Sequence, residues 1–525
     1  MVASVQLYDT TLRDGTQGEG INFSLNDKLR LAKRLAAFGI HYIEGGWPGS
    51  NEKDIEFFEA AKKLSWGKTR IAAFGSTRKS GVAVNDDLQV RLLLQAETPT
   101  VTFFGKSWLL HVHEVLRTSP EENRKMISDT VAFLKTHGRE VIYDAEHFFD
   151  GYIDNPSYAL STIVAAAEAG ADRVVLCDTN GGRLPHEITR IVTEILSKLR
   201  CPVGIHTHND CELGVSNAIA AVQAGATQVQ GTINGYGERT GNCNLTSVIP
   251  LLELKLGHKV LPKGNLGDLT TISRLVDELA NLQPNIRAPF VGASSFAHKG
   301  GMHVNAVKKV SSSFEHIDPS LIGNHQRILV GELSGRTNVV LKARELGIVL
   351  DEKSPETKAI LQEIKRRENL GFEYEAADAS LELLIRQHLA PHPPAFDLTE
   401  YHVSVRKNMT HGFDSCEATL KVKLNGEMVA TVADGDGPVN ALDGALRKAL
   451  LTRHPQLKNM QLVDYKVRII NSTEGTAAKT RVWILSSDGH RHWATVGVSF
   501  NIIEASWIAL ADSVEYFFLH SKGKK

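Results

Sequence analysis

Short runs rich in β-branched and aromatic residues recur about every thirty residues through the first half of this chain, and stretches with apolar residues at helical spacing lie between them. The strand-like runs are residues 5–12, 42–46, 70–75, 100–105, 140–146, 173–178, 203–208 and 228–233. Helical stretches at 25–38, 156–169 and 214–224 each end at a glycine (Gly39, Gly170 and Gly225), the residue a helix C-terminus favours. Eight strand-helix units in a row without long hairpins predict an α/β fold, a (β/α)8 TIM barrel over residues 1–275. An open doubly wound sheet is the alternative that the same alternation allows. Polar side chains at the C-terminal ends of many different strands favour the barrel, because barrels assemble their sites there.

The pattern changes beyond the barrel. The chain has 525 residues, more than one hydrophobic core usually serves, so further domains are expected. Residues 276–395 read as linker subdomains: 285–335 is Gly/Ser/His-rich and loop-like, and 339–389 reads as charged amphipathic helices. Ala390-Pro391-His392-Pro393-Pro394 marks a stiff boundary. Residues 396–525 then form an α+β domain of two similar halves, with hairpins turning at Asn425-Gly426 and Asp488-Gly489 and helices at 439–451 and 502–518.

A formal net charge of -1 with well-mixed charges argues against nucleic acid or an acidic membrane surface as the main partner. Small-molecule chemistry is the expectation. The five cysteines lack metal-finger spacing, no signal peptide opens the sequence and no apolar run reaches the roughly twenty residues of a spanning helix, so a cytoplasmic protein is expected.

Within this frame Gly204-Ile205-His206-Thr207-His208-Asn209-Asp210 carries the chemistry, because two histidines two residues apart on a strand point the same way and can hold one divalent metal. Asp14, in Leu12-Arg13-Asp14-Gly15 after the first strand, offers an oxygen ligand, and Arg13 a cation beside it. Side chains of one barrel layer come from alternate strands. Asp14 ends the first strand, Glu146 the fifth, and His206 with His208 the seventh, so one layer could hold them all. Asp14, His206 and His208 would leave open positions for a 2-oxo acid, Arg13 would face its keto oxygen, and Asn242 after the eighth strand is a further direct or outer ligand. Such a donor set suits Mn2+, Zn2+ or Co2+ and tolerates Mg2+. Plainer roles stay open: Asp14-Gly15 as a turn, Glu238 with Arg239 as a structural salt bridge, His298 and His303 as loop polar groups, and Phe74, Phe103 and Phe104 either as barrel core or as the wall that sets oxo-acid size.

Three ordered segments resemble the signatures of the acyl-CoA Claisen-condensing barrels: Leu12-Arg13-Asp14-Gly15-Thr16-Gln17, His206-Thr207-His208-Asn209-Asp210 with Gly214 and Asn217, and Gly235-Tyr236-Gly237-Glu238-Arg239-Thr240-Gly241-Asn242. That family holds the 2-isopropylmalate, homocitrate and citramalate synthases, with hydroxymethylglutaryl-CoA lyase as a relative. The tail, with Gly435-Asp436-Gly437-Pro438, Gly475-Thr476-Ala477-Ala478 and Asn501-Ile502-Ile503-Glu504-Ala505, resembles the family's leucine- or isoleucine-sensing domain. Glu44-Gly45-Gly46-Trp47-Pro48-Gly49-Ser50-Asn51, His316-Ile317-Asp318-Pro319 and Ile322-Gly323-Asn324 are similar to the citramalate-forming branch.

The resemblance implies condensation of acetyl-CoA with a 2-oxo acid, pyruvate in that branch, on a bound divalent metal. It implies that Arg13, Asp14, Tyr143, Glu146 and Thr179 contact the oxo acid. Glu146 with His303 would move the acetyl proton, and Arg13 would stabilise the alkoxide. It further implies an amino-acid effector, isoleucine in the first place, and a homodimer in which the His303 region serves the neighbouring barrel. Phe314 stands where the family commonly has a tyrosine. A lyase, an isopropylmalate- or homocitrate-forming enzyme and a non-catalytic amino-acid-responsive barrel are the other readings.

Overall fold

All eight expected strands are present and closed into a parallel barrel in a computed structural model of the chain, which describes residues 4–391, 393–408, 413–470, 475 and 477–521. They are β1 (Gln6–Asp9), β2 (Tyr42–Gly46), β3 (Arg70–Ser76), β4 (Thr100–Lys106), β5 (Glu140–Glu146), β6 (Arg173–Asp178), β7 (Val203–Thr207) and β8 (Gln228–Gly231). The open-sheet alternative is thereby removed, since β1 pairs with β8 from Gln6↔Gln228 to Asp9↔Gly231. β1 is shorter than expected because the Asp9 carboxylate accepts hydrogen bonds from the Thr11 N–H and hydroxyl, which turns the chain out of the sheet before Asp14.

The helices start and stop where their chemistry demands. Ser24 and Asp27 form a capping box at the start of Leu25–Phe38, and Gly39 ends that helix at φ +106°, where a side chain would also run into the ring of Pro262. Alternation along the strands then divides the barrel's apolar residues in two. Leu7, Ile43, Ala73, Val101, Phe103, Val141, Tyr143, Val174, Ile205 and Val229 face outward into one large core shared with the helices. Tyr8, Tyr42, Ala72, Ile142, Val175 and Cys177 form a small cluster in the barrel's interior.

The described chain divides into two compact units, Met1–Phe296 with Ile317–His325, and Ala297–His316 with Gln326–Lys525. Residues 276–395, read as linker subdomains, are shared between the two units. Within the first unit the Asn324 amide donates to the Phe290 and Gly292 carbonyls, and the Thr270 hydroxyl to the Ile322 carbonyl, so 317–325 is stitched to the barrel's last helix and the loop after it. Within the second unit, three helices, Arg336–Glu345, Pro355–Asn369 and Asp378–Leu389, occupy the stretch expected to be helical.

The tail of the second unit repeats itself as expected. A three-stranded antiparallel sheet (Asp397–Asn408, Phe413–Leu424, Glu427–Gly435) is followed by the helix Pro438–Leu451, and a second (Gln461–Ile469, Thr480–Ser487, His492–Ser499) by the helix Ile502–Ser521. Asn425 and Gly426, at φ +51° and +88°, make the tight hairpin turn read from their sequence. The strand Asp397–Asn408 was not among the expected elements. His392 of the proline-rich boundary and Thr476 of the tail signature lie outside the described residues. No described helix is long and apolar enough to cross a membrane.

Candidate active site

Asp14, His206 and His208 meet at the C-terminal mouth of the barrel with one potential ligand atom from each inside a 4.8 Å cluster, all three side chains buried. β7 aims the His206 imidazole inward, His208 just past its end follows on the same side, and the turn after β1 brings Asp14 Oδ2 to 3.5 Å from His206 Nε2. Burial pulls both histidines below their ordinary range, His208 to about 3 with His206 adding to the effect, so both rings are neutral and offer lone pairs. Burial pushes the Asp14 carboxyl up, but Arg13, His206 and His208 outweigh it and hold it below its ordinary value. Asn242 sits beside the cluster, paired with His208 in an isolated bridge, and its Oδ1 is buried without a hydrogen-bond partner, as is Nδ1 of His208. Two neutral imidazoles, an ionised carboxylate and an unsatisfied buried amide oxygen are a donor set that a divalent cation fits.

Arg13 stands next to this cluster in a fixed pose. Its Nε donates to Glu44 Oε1 at 2.6 Å, Nη1 lies 3.6 Å from Asp14 Oδ1, and the guanidinium lies 3.7 Å over the centroid of the Phe74 ring. Glu44 is fully buried on β2. Burial raises its carboxyl while Arg13 and the Tyr8 hydroxyl pull against that rise. Tyr8 donates to Glu44 Oε2 at 2.7 Å and has the Thr102 hydroxyl at the same distance on its other side, which completes a dry network behind the arginine.

A cavity of about 200 Å³ opens over these groups. Its walls include Arg13, Asp14, Glu146, Thr179, His206 and His208, all named from the sequence, together with Gln17, Trp47, Phe74, Phe104, Asp144, Cys177, Glu238 and Arg239. Glu146, last residue of β5, is paired with the ammonium of Lys106, last residue of β4 and its register partner. Thr179 accepts the His147 N–H on its hydroxyl, and its carbonyl accepts from Arg239. Arg239 also grips Asp210 at 2.7 and 3.0 Å and lies 3.9 Å from Glu238, so its principal carboxylate partner is Asp210.

Tyr143 departs from what the resemblance implies, and Phe103 takes the core role among its two readings. Tyr143 does not contact the cavity: it is fully buried in the layer between barrel and helices, tilted against Phe103, with its hydroxyl packed so near Gly105 that a Cβ there would lie 3.0 Å away. Phe103 points outward with it, so only Phe74 and Phe104 of the three phenylalanines reach the cavity, where they stack at 5.7 Å and Trp47 meets each edge-on. The cause is strand parity: Glu146 faces in, so Tyr143, three residues earlier, faces out. The inward residue next to it is Asp144, which sequence reasoning missed along with Glu44, Trp47 and Lys106. Parity counted back from Glu146 would have found Asp144, whose carboxyl is driven well above its ordinary range by burial, with Glu44 adding to the rise.

His303 and Phe314 lie in the second unit, where their rings stack at 4.4 Å. His298 pairs with Glu315 at 3.1 Å, in keeping with the plainer reading of that histidine.

The closed parallel barrel that carries this site is of the HMGL-like class, since residues 4–276 match the HMGL-like family. Residues 290–370 match the homocitrate synthase post-HMGL domain-like family, and 375–518 the LeuA allosteric (dimerisation) domain. Proteins named (R)-citramalate synthase are similar over almost the whole chain. That of Aquifex aeolicus is 54% identical over 517 residues, 98% of each chain, and that of Geobacter sulfurreducens is 51% identical over 512, 98% of this chain and 97% of the other. A probable 2-isopropylmalate synthase of Methanopyrus kandleri is 31% identical over 507 residues, 96% of each. The chain belongs to the (R)-citramalate synthase family.

Proposed function

We propose that this enzyme condenses acetyl-CoA with pyruvate and water to (R)-citramalate and CoA, supplying an isoleucine route through 2-oxobutanoate. The observation that carries the reading is one cavity that joins Asp14, His206 and His208 to Arg13 and Glu146 under a wall of Trp47, Phe74 and Phe104. A divalent cation held by Asp14, His206 and His208, with Asn242 beside them, supplies a Lewis acid for the keto carbonyl. Mn2+, Co2+, Zn2+ and Mg2+ are the candidates.

The protein's own groups do the rest. Glu146 takes a proton from the acetyl methyl group, its carboxylate direction fixed by Lys106. The methyl carbon bonds to the keto carbon, and charge gathers on the former keto oxygen in front of Arg13, whose fork is already held by Glu44 and needs no reorientation. Water then cleaves the thioester and CoA departs. The aromatic wall excludes water during bond formation and leaves room for a methyl group in preference to a branched chain. Thr179 borders the oxo acid, and His303 contributes to acetyl-CoA activation. We further propose a homodimer and an amino-acid effector, isoleucine first, bound by the tail.

The deciding experiment is release of CoA, read with a thiol reagent, from acetyl-CoA with pyruvate, 2-oxobutanoate, 3-methyl-2-oxobutanoate and 2-oxoglutarate in parallel, each with a chelator control. Chelator-sensitive release strongest with pyruvate is expected. Strongest release with 3-methyl-2-oxobutanoate would reassign the enzyme to isopropylmalate formation, and no release with any acid would remove the synthase reading.

A further inference from the structure

Gln230 on β8 is the register partner of His206 on β7, and both ends of its amide are engaged. Its Oε1 lies 3.0 Å from His206 Nδ1, while its Nε2 donates to Asp144 Oδ1 at 3.0 Å. All three side chains are buried. An amide has one donor end and one acceptor end. With Nε2 committed to the Asp144 oxygen, Oε1 must face the imidazole, and an oxygen facing Nδ1 requires a proton on that nitrogen. The neutral ring then carries its lone pair on Nε2, the nitrogen 3.5 Å from Asp14 Oδ2.

We infer that Asp144 and Gln230 are positioning residues that lock His206 as the Nδ1-protonated tautomer and so present its Nε2 lone pair to the metal cluster. The opposite amide orientation shows why both are needed. With Nε2 facing the ring, the proton would move to the imidazole Nε2 and His206 would cease to be a ligand. Gln230 alone can take either orientation, and Asp144 selects the useful one through its near oxygen Oδ1, which accepts from the amide and leaves any proton of this buried carboxyl on the far oxygen. Partners of this kind around a metal-binding histidine fix its tautomer and direction. The inference rests on reading Asp14, His206 and His208 as a metal centre.

The test is cation binding and not turnover: metal-free full-length protein is titrated calorimetrically with Mn2+ and, separately, Zn2+. Gln230→Met keeps the side chain's shape and loses the acceptor, and should weaken binding about 10- to 100-fold. Gln230→Glu sets a second carboxyl against Asp144, the pair shares one proton between them and an oxygen still faces Nδ1–H, so this variant should restore most of that loss. Undiminished affinity in Gln230→Met would overturn the lock, whereas wild-type protein that binds neither ion would overturn the metal-centre reading itself. A buried substitution can prevent folding, so the tautomer is also read directly in metal-free wild-type protein by long-range 1H–15N spectra of histidine-labelled material, with His206 identified by its loss in His206→Gln. A proton on Nδ1 is expected, and a proton on Nε2 disproves the inference.

Discussion

Arg13 is gripped by three neighbours, Glu44 through a 2.6 Å hydrogen bond, Asp14 through a 3.6 Å ion pair and Phe74 through its ring face. A lysine in its place would keep the charge but could not bond Glu44 and reach toward substrate with a second nitrogen. Arg13→Lys is therefore expected to lower kcat about 100- to 1000-fold, the usual effect of removing one donor from a developing oxyanion, with both substrates saturating. Turnover within tenfold of wild type would place the alkoxide's stabiliser elsewhere. Tyr143 provides the contrast. Tyr143→Phe deletes a hydroxyl on the outer face of β5, away from the cavity, so kcat and KM for pyruvate should both stay within about twofold of wild type, and the melting temperature should not fall, because that hydroxyl is buried without a hydrogen-bond partner. A large rise in KM would contradict the outward assignment. At this scale the sequence was legible where a motif states its own spacing: His206 and His208 share a face by parity alone, and the turn at Asp14 follows a strand end. It was not legible for Tyr143, because a residue carried over by likeness must still obey the alternation fixed by Glu146. Nor did it show Glu44, Asp144 and Lys106, whose importance lies in partners on other strands that become neighbours only when the barrel closes.

The elements were more legible than the contacts. Glycine stops, N-cap residues and β-rich runs act locally, which is why Leu25–Phe38, Tyr42–Gly46, Glu140–Glu146 and Gly214–Ala224 start and end where the sequence says. The misjudged ends lie where side chains redirect the backbone, as Asp9 does after β1 and as Asn234, at φ +62°, does after β8. The strand Asp397–Asn408 escaped notice because its solvent-facing positions carry Glu400, His402, Arg406 and Lys407 among few apolar residues. Packing of one element against another also sets a pH response. Asp512, on the helix Ile502–Ser521, accepts a 2.6 Å hydrogen bond from Ser380 on the helix Asp378–Leu389, and burial raises its carboxyl to about 6 despite that bond. Between the ordinary value of 3.8 and about 6 the unfolded chain gives up this proton while the folded chain keeps it. Its contribution to stability is thus full below that window, drains as pH rises through it and stays lost above. Asp512→Asn is neutral at every pH and still accepts from Ser380, so it should melt several degrees higher than wild type at pH 7.5 and no higher at pH 4. Equal gains at both pH values would show that the carboxyl is not the titrating group.

At the scale of the whole molecule, the order of barrel, helical stretch and duplicated tail followed from periodicity and turn residues, but the division into units did not, because residues 317–325 return to the barrel through hydrogen bonds that no local pattern announces. The tail also holds the last test. Gln461–Ile469 is an edge strand of its sheet, and it leaves Leu462, Val463, Val467 and Ile469 exposed, Val463 at 52% and Ile469 at 55%. A long apolar edge is a pairing hazard unless something covers it, and this one bears no proline and three charges, of which Asp464 and Lys466 pair with each other and leave Arg468 as the third. The homodimer proposed above would supply that cover, in keeping with the match of residues 375–518 to a dimerisation domain. Wild-type protein at micromolar concentration should therefore sediment at twice its 57.6 kDa chain mass. Val463→Lys combined with Val467→Lys should sediment as the monomer, because like charges facing each other across a two-fold contact repel and the apolar gain is gone. If catalysis needs a group from the neighbouring chain, the monomeric variant should also lose activity on dilution before it loses helical content by circular dichroism, since its barrel core is untouched. A variant that remains dimeric would put the contact on another face, and a wild type that is monomeric at working concentration would remove the partner chain from the reaction altogether.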